Sequence, residues 1–187
     1  MEPGLPGDVR PGLAPLDEEV DHARGRTSER LILEYGDYEC PSSRLAFRAI
    51  ERVEQELSGR VCFAFRHFPL VQIHPNAFGA AAAAEAAALQ GCFWPMHELL
   101  FQWQRALEDD DLRLYAKQLG LDVVRFEEDR VGPDVRRRIR RDVETGLASA
   151  EVRGTPTLFI DGVVYLGGYD EASLMEALSS EGSSSGR

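Results

Sequence analysis

The chain has 187 residues, of which 43% are hydrophobic and 28% charged, with a formal net charge of −11. That is the size of one domain, with apolar content sufficient for a core. No apolar run approaches the roughly 20 residues that a spanning helix needs, so membrane insertion is not expected. An acidic surface repels a phosphate backbone, which argues against nucleic acid as a partner. Three cysteines, Cys40, Cys62 and Cys92, do not make a disulfide framework. Residues 1–16 carry four prolines and three glycines and lack the apolar run of about 7–15 residues that a secretory signal requires. The expected location is therefore cytoplasmic, where thiols stay reduced.

In chain order, residues 1–16 read as a flexible arm and 180–187 as a frayed tail. Residues 31–35 form a short apolar run ending at Gly36, which predicts a buried strand. From Pro41 to Leu57, Ala46, Ile50, Val53 and Leu57 recur at helical spacing and Gly59 stops the helix. Residues 61–65 are apolar on both faces, as in a strand in the middle of a sheet. Helices are predicted over 76–90, 93–105, 111–119 and 123–130. Pro133 opens a longer one, with Val135, Ile139, Val143, Leu147 and Ala150 as its apolar stripe. Strands 157–160 and 163–166 are joined by Asp161-Gly162, a strong hairpin signal, and 171–178 closes the chain as a helix. The fold class is α/β: a mixed sheet with helices on both faces, because a strand–helix–strand unit requires a parallel crossover. On this reading 17–67 and 133–179 form the sheet-containing domain and 68–132 a helical insertion.

The chemistry centres on Cys40, between the first strand and the first helix. Pro41 takes the first helical position, so Cys40 stands at the cap. Unpaired amides and the positive end of the helix dipole there favour the thiolate, the attacking form. Position alone leaves two readings, a reactive thiol or a small residue filling a junction. A second feature is Arg153-Gly154-Thr155-Pro156-Thr157, a proline at the start of a strand that suits a kink or a cis bond.

Cys-Pro at a strand–helix junction and Gly-Thr-Pro-Thr before a hairpin resemble the thioredoxin superfamily. The segments LEYGDYECP, FRHFPL, HPNA, QGCFWPMHELLF, YAKQLGLD and VRGTPTLFIDG, in that order, are similar to its DsbA-like branch over roughly Asp21 to Leu178. The resemblance implies a thioredoxin fold with an inserted helical domain and thiol–disulfide oxidoreductase activity needing no bound cofactor. Cys40 would be the nucleophile and Pro156 the cis-proline facing it. Pro41, Ser42, Thr155 and Pro156 would meet a protein or peptide disulfide substrate, as an added strand. The family motif is Cys-x-x-Cys, whereas here Ser43 stands where the resolving cysteine would be. A mixed disulfide at Cys40 must then be resolved by a glutathione-type thiol or by another cysteine, for which Cys92 is the candidate. Ser43 is counted a catalytic residue here, as donor of a hydrogen bond to the thiolate. Two alternatives stay open: a glutathione-dependent transferase or isomerase of kappa type, and a non-catalytic binding or chaperone module.

Of the other candidates, Cys62 reads as core. His22, His67, His74 and His97 have no metal-motif spacing, so no metal is expected. His67 reads as a loop anchor and His97 as a satisfied core histidine. Asp37 and Glu39 read as a solvated loop beside the nucleophile, with Glu39 a weak site candidate, and Tyr38 as lining a substrate groove. Arg136, Arg137, Arg138, Arg140 and Arg141 read as a wet helix face paired with Asp134, Asp142 and Glu144. Phe93, Trp94, Phe101 and Trp103 read partly as helix packing and partly as an apolar wall above Cys40.

Overall fold

The computed structural model describes residues 12–25 and 30–180, so most of the N-terminal arm and nearly all of the tail lie outside the described residues. The chain runs β1 (His22–Arg24), β2 (Arg30–Gly36), α1 (Pro41–Glu56), β3 (Val61–His67), then four helices, α2 (Ala77–Ala88), α3 (Phe93–Gln102), α4 (Asp109–Gln118) and α5 (Val123–Arg130). It continues with α6 (Pro133–Ala148), β4 (Thr157–Ile160), β5 (Val163–Tyr165) and α7 (Glu171–Ser179). The five strands form one mixed sheet in the order β1-β3-β2-β4-β5. Among the described residues only β2 and β3 pair in parallel, and α1 makes their crossover.

Alternation along the central strands divides the core. Ile32, Phe63 and Phe65 face α1, α2 and α3, while Leu33, Tyr35 and Ala64 face the other way, towards Phe68, Val152 and Phe159. The alanine run of α2 is buried almost all round, which its small side chains permit between α3, α5 and α6.

The short strand β1 has no signature in the sequence, because His22-Ala23-Arg24 shows no apolar alternation. Pairing with Phe63–Phe65 of β3 creates it, aided by Arg24, which binds Glu54 and lies 4.5 Å over the Trp94 ring. Helix α3 ends at Gln102 rather than at 105, and α4 begins at Asp109, where Glu108 and Asp111 close a capping box. Asp161 and Gly162 both have positive φ, as a two-residue hairpin turn demands. Strand β5 stops at Tyr165, and Leu166, expected in the strand, is 90% exposed.

The stripe of α6 differs from expectation. Val135 and Ile139 are buried, but the seam continues through Asp142, Gly146 and Ser149, while Leu147 is 60% exposed and Ala150 lies past the helix end. Steps of four residues drift around a helix of 3.6 residues per turn, whereas alternating steps of four and three hold one face. Gly146 sits on that seam because the rings of Tyr35 and Phe68 press on it; a Cβ there would be 3.1 Å from both.

The arginines of α6 are correspondingly not all a wet face. Asp142 is fully buried, receives the His67 amide at 2.9 Å and binds Arg138. Arg141 binds Asp21, which also pairs with the fully buried Arg66 at 2.6 Å. Arg66 further donates to the carbonyls of Ala14 and Pro15, tying the chain ahead of β1 to the sheet. Burial raises the Asp21 carboxyl, but its bonds to Arg66 and Arg141 outweigh that and hold it down at about 2.

Candidate functional site

Cys40 follows the turn after β2 and caps α1, with extended backbone (φ −75, ψ 120) and no side-chain cap bond. The first-turn amides of α1 have no intrahelical acceptors, so they lend their positive potential to the thiol. Pro41 at the first position is exposed. The sulfur is almost covered, at 6% residue exposure, and donates a hydrogen bond to the carbonyl of Thr155 at 3.2 Å. That contact joins residues 115 apart in sequence. The Thr155–Pro156 peptide bond is cis and Pro156 is buried. Tyr169 donates to the Pro156 carbonyl at 2.9 Å. Gln104, just past the end of α3, donates from Nε2 to the carbonyls of both Tyr38 and Cys40.

Ser43 does not bond to the Cys40 sulfur. It is fully buried, and its Oγ accepts the Asp37 amide at 3.3 Å. The turn at Asp37 folds back over the helix start and takes up the hydroxyl.

Asp37 and Glu39 are not a solvated loop. The buried Asp37 carboxylate accepts the Glu39 amide at 2.8 Å, the Leu70 amide at 2.9 Å and His74 Nδ1 at 2.8 Å, while its carbonyl receives the Cys40 amide. Asp37 thus pins the Cys40 loop to the segment after β3. Glu39 holds Asn76, at the N-terminus of α2, through the amide at 2.6 Å and the side chain at 3.2 Å. Tyr38 lines no groove: it is 1% exposed, packed on Phe65 and Phe101, and its hydroxyl bonds His97 Nδ1 at 2.9 Å. Burial raises the Tyr38 hydroxyl well above its ordinary range and lowers the His97 imidazole well below its own. His97 is only half satisfied, since its Nε2 is buried without a partner.

Phe93 and Phe101 are core, Trp94 packs against the same cluster, and only Trp103 of the four aromatic residues remains exposed, at 53%. The apolar wall therefore reduces to Trp103, adjacent to Gln104. Cys62 is core, and burial raises its thiol. Cys92 is half-buried, and none of the three cysteines is in a disulfide.

The sequence reading missed Glu34. It lies on the central strand β2, fully buried, and neither carboxylate oxygen has a hydrogen-bond partner among the described residues. Burial raises its carboxyl to about 8. Burial also raises the Tyr169 hydroxyl, with lesser contributions from Glu34 and Cys40. The available signal was an acid inside the apolar run Leu31–Tyr35 of a strand expected to be buried.

A thiol at a helix N-terminus, facing a cis-prolyl strand on a mixed sheet, is the arrangement of a thioredoxin fold. The model of the DSBA-like thioredoxin domain matches residues 31–179, and the chain belongs to that family. A thioredoxin-like oxidoreductase from Silicibacter pomeroyi superposes with a TM-score of 0.74 at 23% identity, over 84% of this chain and 90% of that one. Oxidised BdbD from Bacillus subtilis gives 0.73 at 20% identity, over 87% and 92%. In sequence, the chain is 44% identical over 169 residues to a protein named Na(+)/H(+) antiporter NhaA 1 of Mycolicibacterium vanbaalenii, covering 89% of this chain and 27% of that protein. A second relative of the same name, from Mycolicibacterium gilvum, gives the same identity and coverage. The chain thus spans about a quarter of the length of these curated relatives. Among the described residues, no helix is long and apolar enough to cross a membrane.

Proposed function

We propose that the protein is a thiol–disulfide oxidoreductase working through the single thiol of Cys40. The observation carrying this reading is the Cys40 sulfur at the α1 cap, 3.2 Å from the Thr155 carbonyl, with a buried serine at the position of a second cysteine. The Cys40 thiolate attacks one sulfur of a substrate disulfide, the sulfur–sulfur bond breaks, and the second sulfur leaves as a thiolate that takes up a proton. A glutathione-type thiolate then attacks the substrate sulfur of the mixed disulfide, forms a new disulfide with it and returns Cys40 as thiolate. Both steps balance without a bound cofactor. Thr155 offers backbone groups to an extended substrate with Pro156 beside it, and Pro41 and Ser42 flank the thiol. Glu34 on β2 stays protonated at neutral pH because burial raises its carboxyl. The activity is reduction, isomerisation or deglutathionylation of protein disulfides. The three unpaired thiols fit a reducing, cytoplasmic setting, and residues 68–132 serve as a helical insertion over the site. Ser43 supports the motif through Asp37.

The test is intact-mass analysis with peptide mapping after incubation with oxidised glutathione, alongside turnover of a glutathionylated peptide. One glutathione on Cys40, with turnover lost in Cys40→Ser, supports the reading. A Cys40–Cys92 disulfide instead would restore a dithiol mechanism. Conjugation of an electrophile to glutathione would favour the transferase, and peptide binding that survives Cys40→Ser without any turnover would favour a binding module.

A further inference from the structure

Four histidines without motif spacing give no metal site in the sequence, yet the fold brings two of them to one carboxylate. His22 on β1, His67 on β3 and Glu85 on α2 converge, with their ligand atoms within 4.8 Å of one another. His22 Nε2 lies 2.8 Å and His67 Nε2 2.7 Å from the same oxygen, Glu85 Oε1. The three residues are separated by 45 and 18 positions and meet only through sheet pairing and the packing of α2. We propose that His22, His67 and Glu85 bind one divalent transition-metal ion of the zinc class, separate from the Cys40 thiol.

The donor set carries the choice of ion. Two imidazole nitrogens and one carboxylate oxygen suit zinc and its neighbours, whereas calcium and magnesium take mainly oxygen ligands. The geometry needs little adjustment. Zinc bonds of about 2.0–2.2 Å arranged tetrahedrally put ligand atoms about 3.3 Å apart, so each contact opens by about 0.5 Å. One side of the cluster is closed: His67 is 1% exposed and the His22 ring is stacked on Phe93 at 3.5 Å. The other side opens into a cavity of about 310 Å³ lined by Glu19, His22, Glu85, Asp134 and Arg138 among others. That leaves room for water in the fourth position, as in sites with three protein ligands. Glu19 and Asp134 at the opening favour a cation. The opposing charge is Arg138, whose Nε is 4.0 Å from Glu85 Oε1, but it is engaged by Asp142 and by the Val20 carbonyl. A bound ion would clamp the three-residue edge strand β1 to β3 and α2, and β1 adjoins Asp21, which pairs with Arg66.

The experiment is a titration of the whole protein with Co²⁺ and Zn²⁺, in wild type, Cys40→Ser, His22→Gln and Glu85→Gln. Binding is read by calorimetry and by cobalt absorption, and folding by circular dichroism in EDTA. The expected result is one ion per chain, ligand-field bands without a sulfur-to-cobalt charge-transfer band, and no change in Cys40→Ser. Affinity should fall at least tenfold in His22→Gln, its fold checked by circular dichroism; that variant decides the matter should Glu85→Gln misfold. Three results would each overturn the proposal: absence of stoichiometric binding, binding unchanged in His22→Gln, or a charge-transfer band that disappears with Cys40.

Discussion

Glu34→Gln is the substitution that most directly tests the electrostatics of the site. The wild-type carboxyl is fully buried without a partner, and burial raises it from 4.5 to about 8. Between those values the folded chain keeps a proton that the unfolded chain releases, so stability falls as pH rises through that window and levels off above about 8. At 1.36 kcal/mol per pH unit, the loss from pH 5 to pH 7 comes to about 2–3 kcal/mol. Glutamine has nearly the same volume and stays neutral throughout, so this contribution vanishes. The burial of a neutral polar group is common to both chains and cancels from the comparison of slopes. Urea unfolding of both proteins at pH 5 and pH 7 measures it: the variant should gain about 2–3 kcal/mol on wild type between the two conditions. Parallel pH dependences would refute the reasoning, because Glu34 would then ionise in the folded state as readily as in the unfolded one.

Ser43→Cys should let Cys40 form an internal disulfide with the introduced thiol, seen as the loss of two hydrogens in the intact mass and of free thiols by titration; persistence of both thiols under oxidised glutathione would show that the turn cannot close the bond. Asp21→Asn leaves Arg66 buried beside a neutral amide, and breaking such a pair costs about 3–5 kcal/mol at pH 7, measured by urea unfolding. In wild type, the Asp21 carboxyl, lowered to about 2 by Arg66 and Arg141 against the cost of burial, adds about 2 kcal/mol that is present above pH 4 and lost on acidification towards pH 2. A variant with unchanged acid stability would contradict this. Gly146→Ala puts a methyl group 3.1 Å from the rings of Tyr35 and Phe68 and should lower stability by about 1–3 kcal/mol. A thermal midpoint equal to that of wild type would mean the rings yield freely.

The sequence by itself determined the features that rest on local chemistry. A cysteine followed by proline at the end of an apolar run placed Cys40 at a helix cap, Asp161-Gly162 set the hairpin, and Pro156 marked the start of a strand. These depend on neighbours within a few positions, which the order of residues displays. Tertiary structure decided what depends on distant partners. Asp37 and Glu39 look like loop carboxylates until Leu70, His74 and Asn76 fold over them. Tyr38 looks like a groove residue until α3 covers it with His97 and Phe101. Asp142 reads as surface until the seam of α6 turns it onto the His67 amide. The meeting of His22, His67 and Glu85, and the lack of any partner for Glu34, exist only in the packed molecule. Burial and pairing across the core set the charge of these groups, and periodicity along the chain carries no record of either.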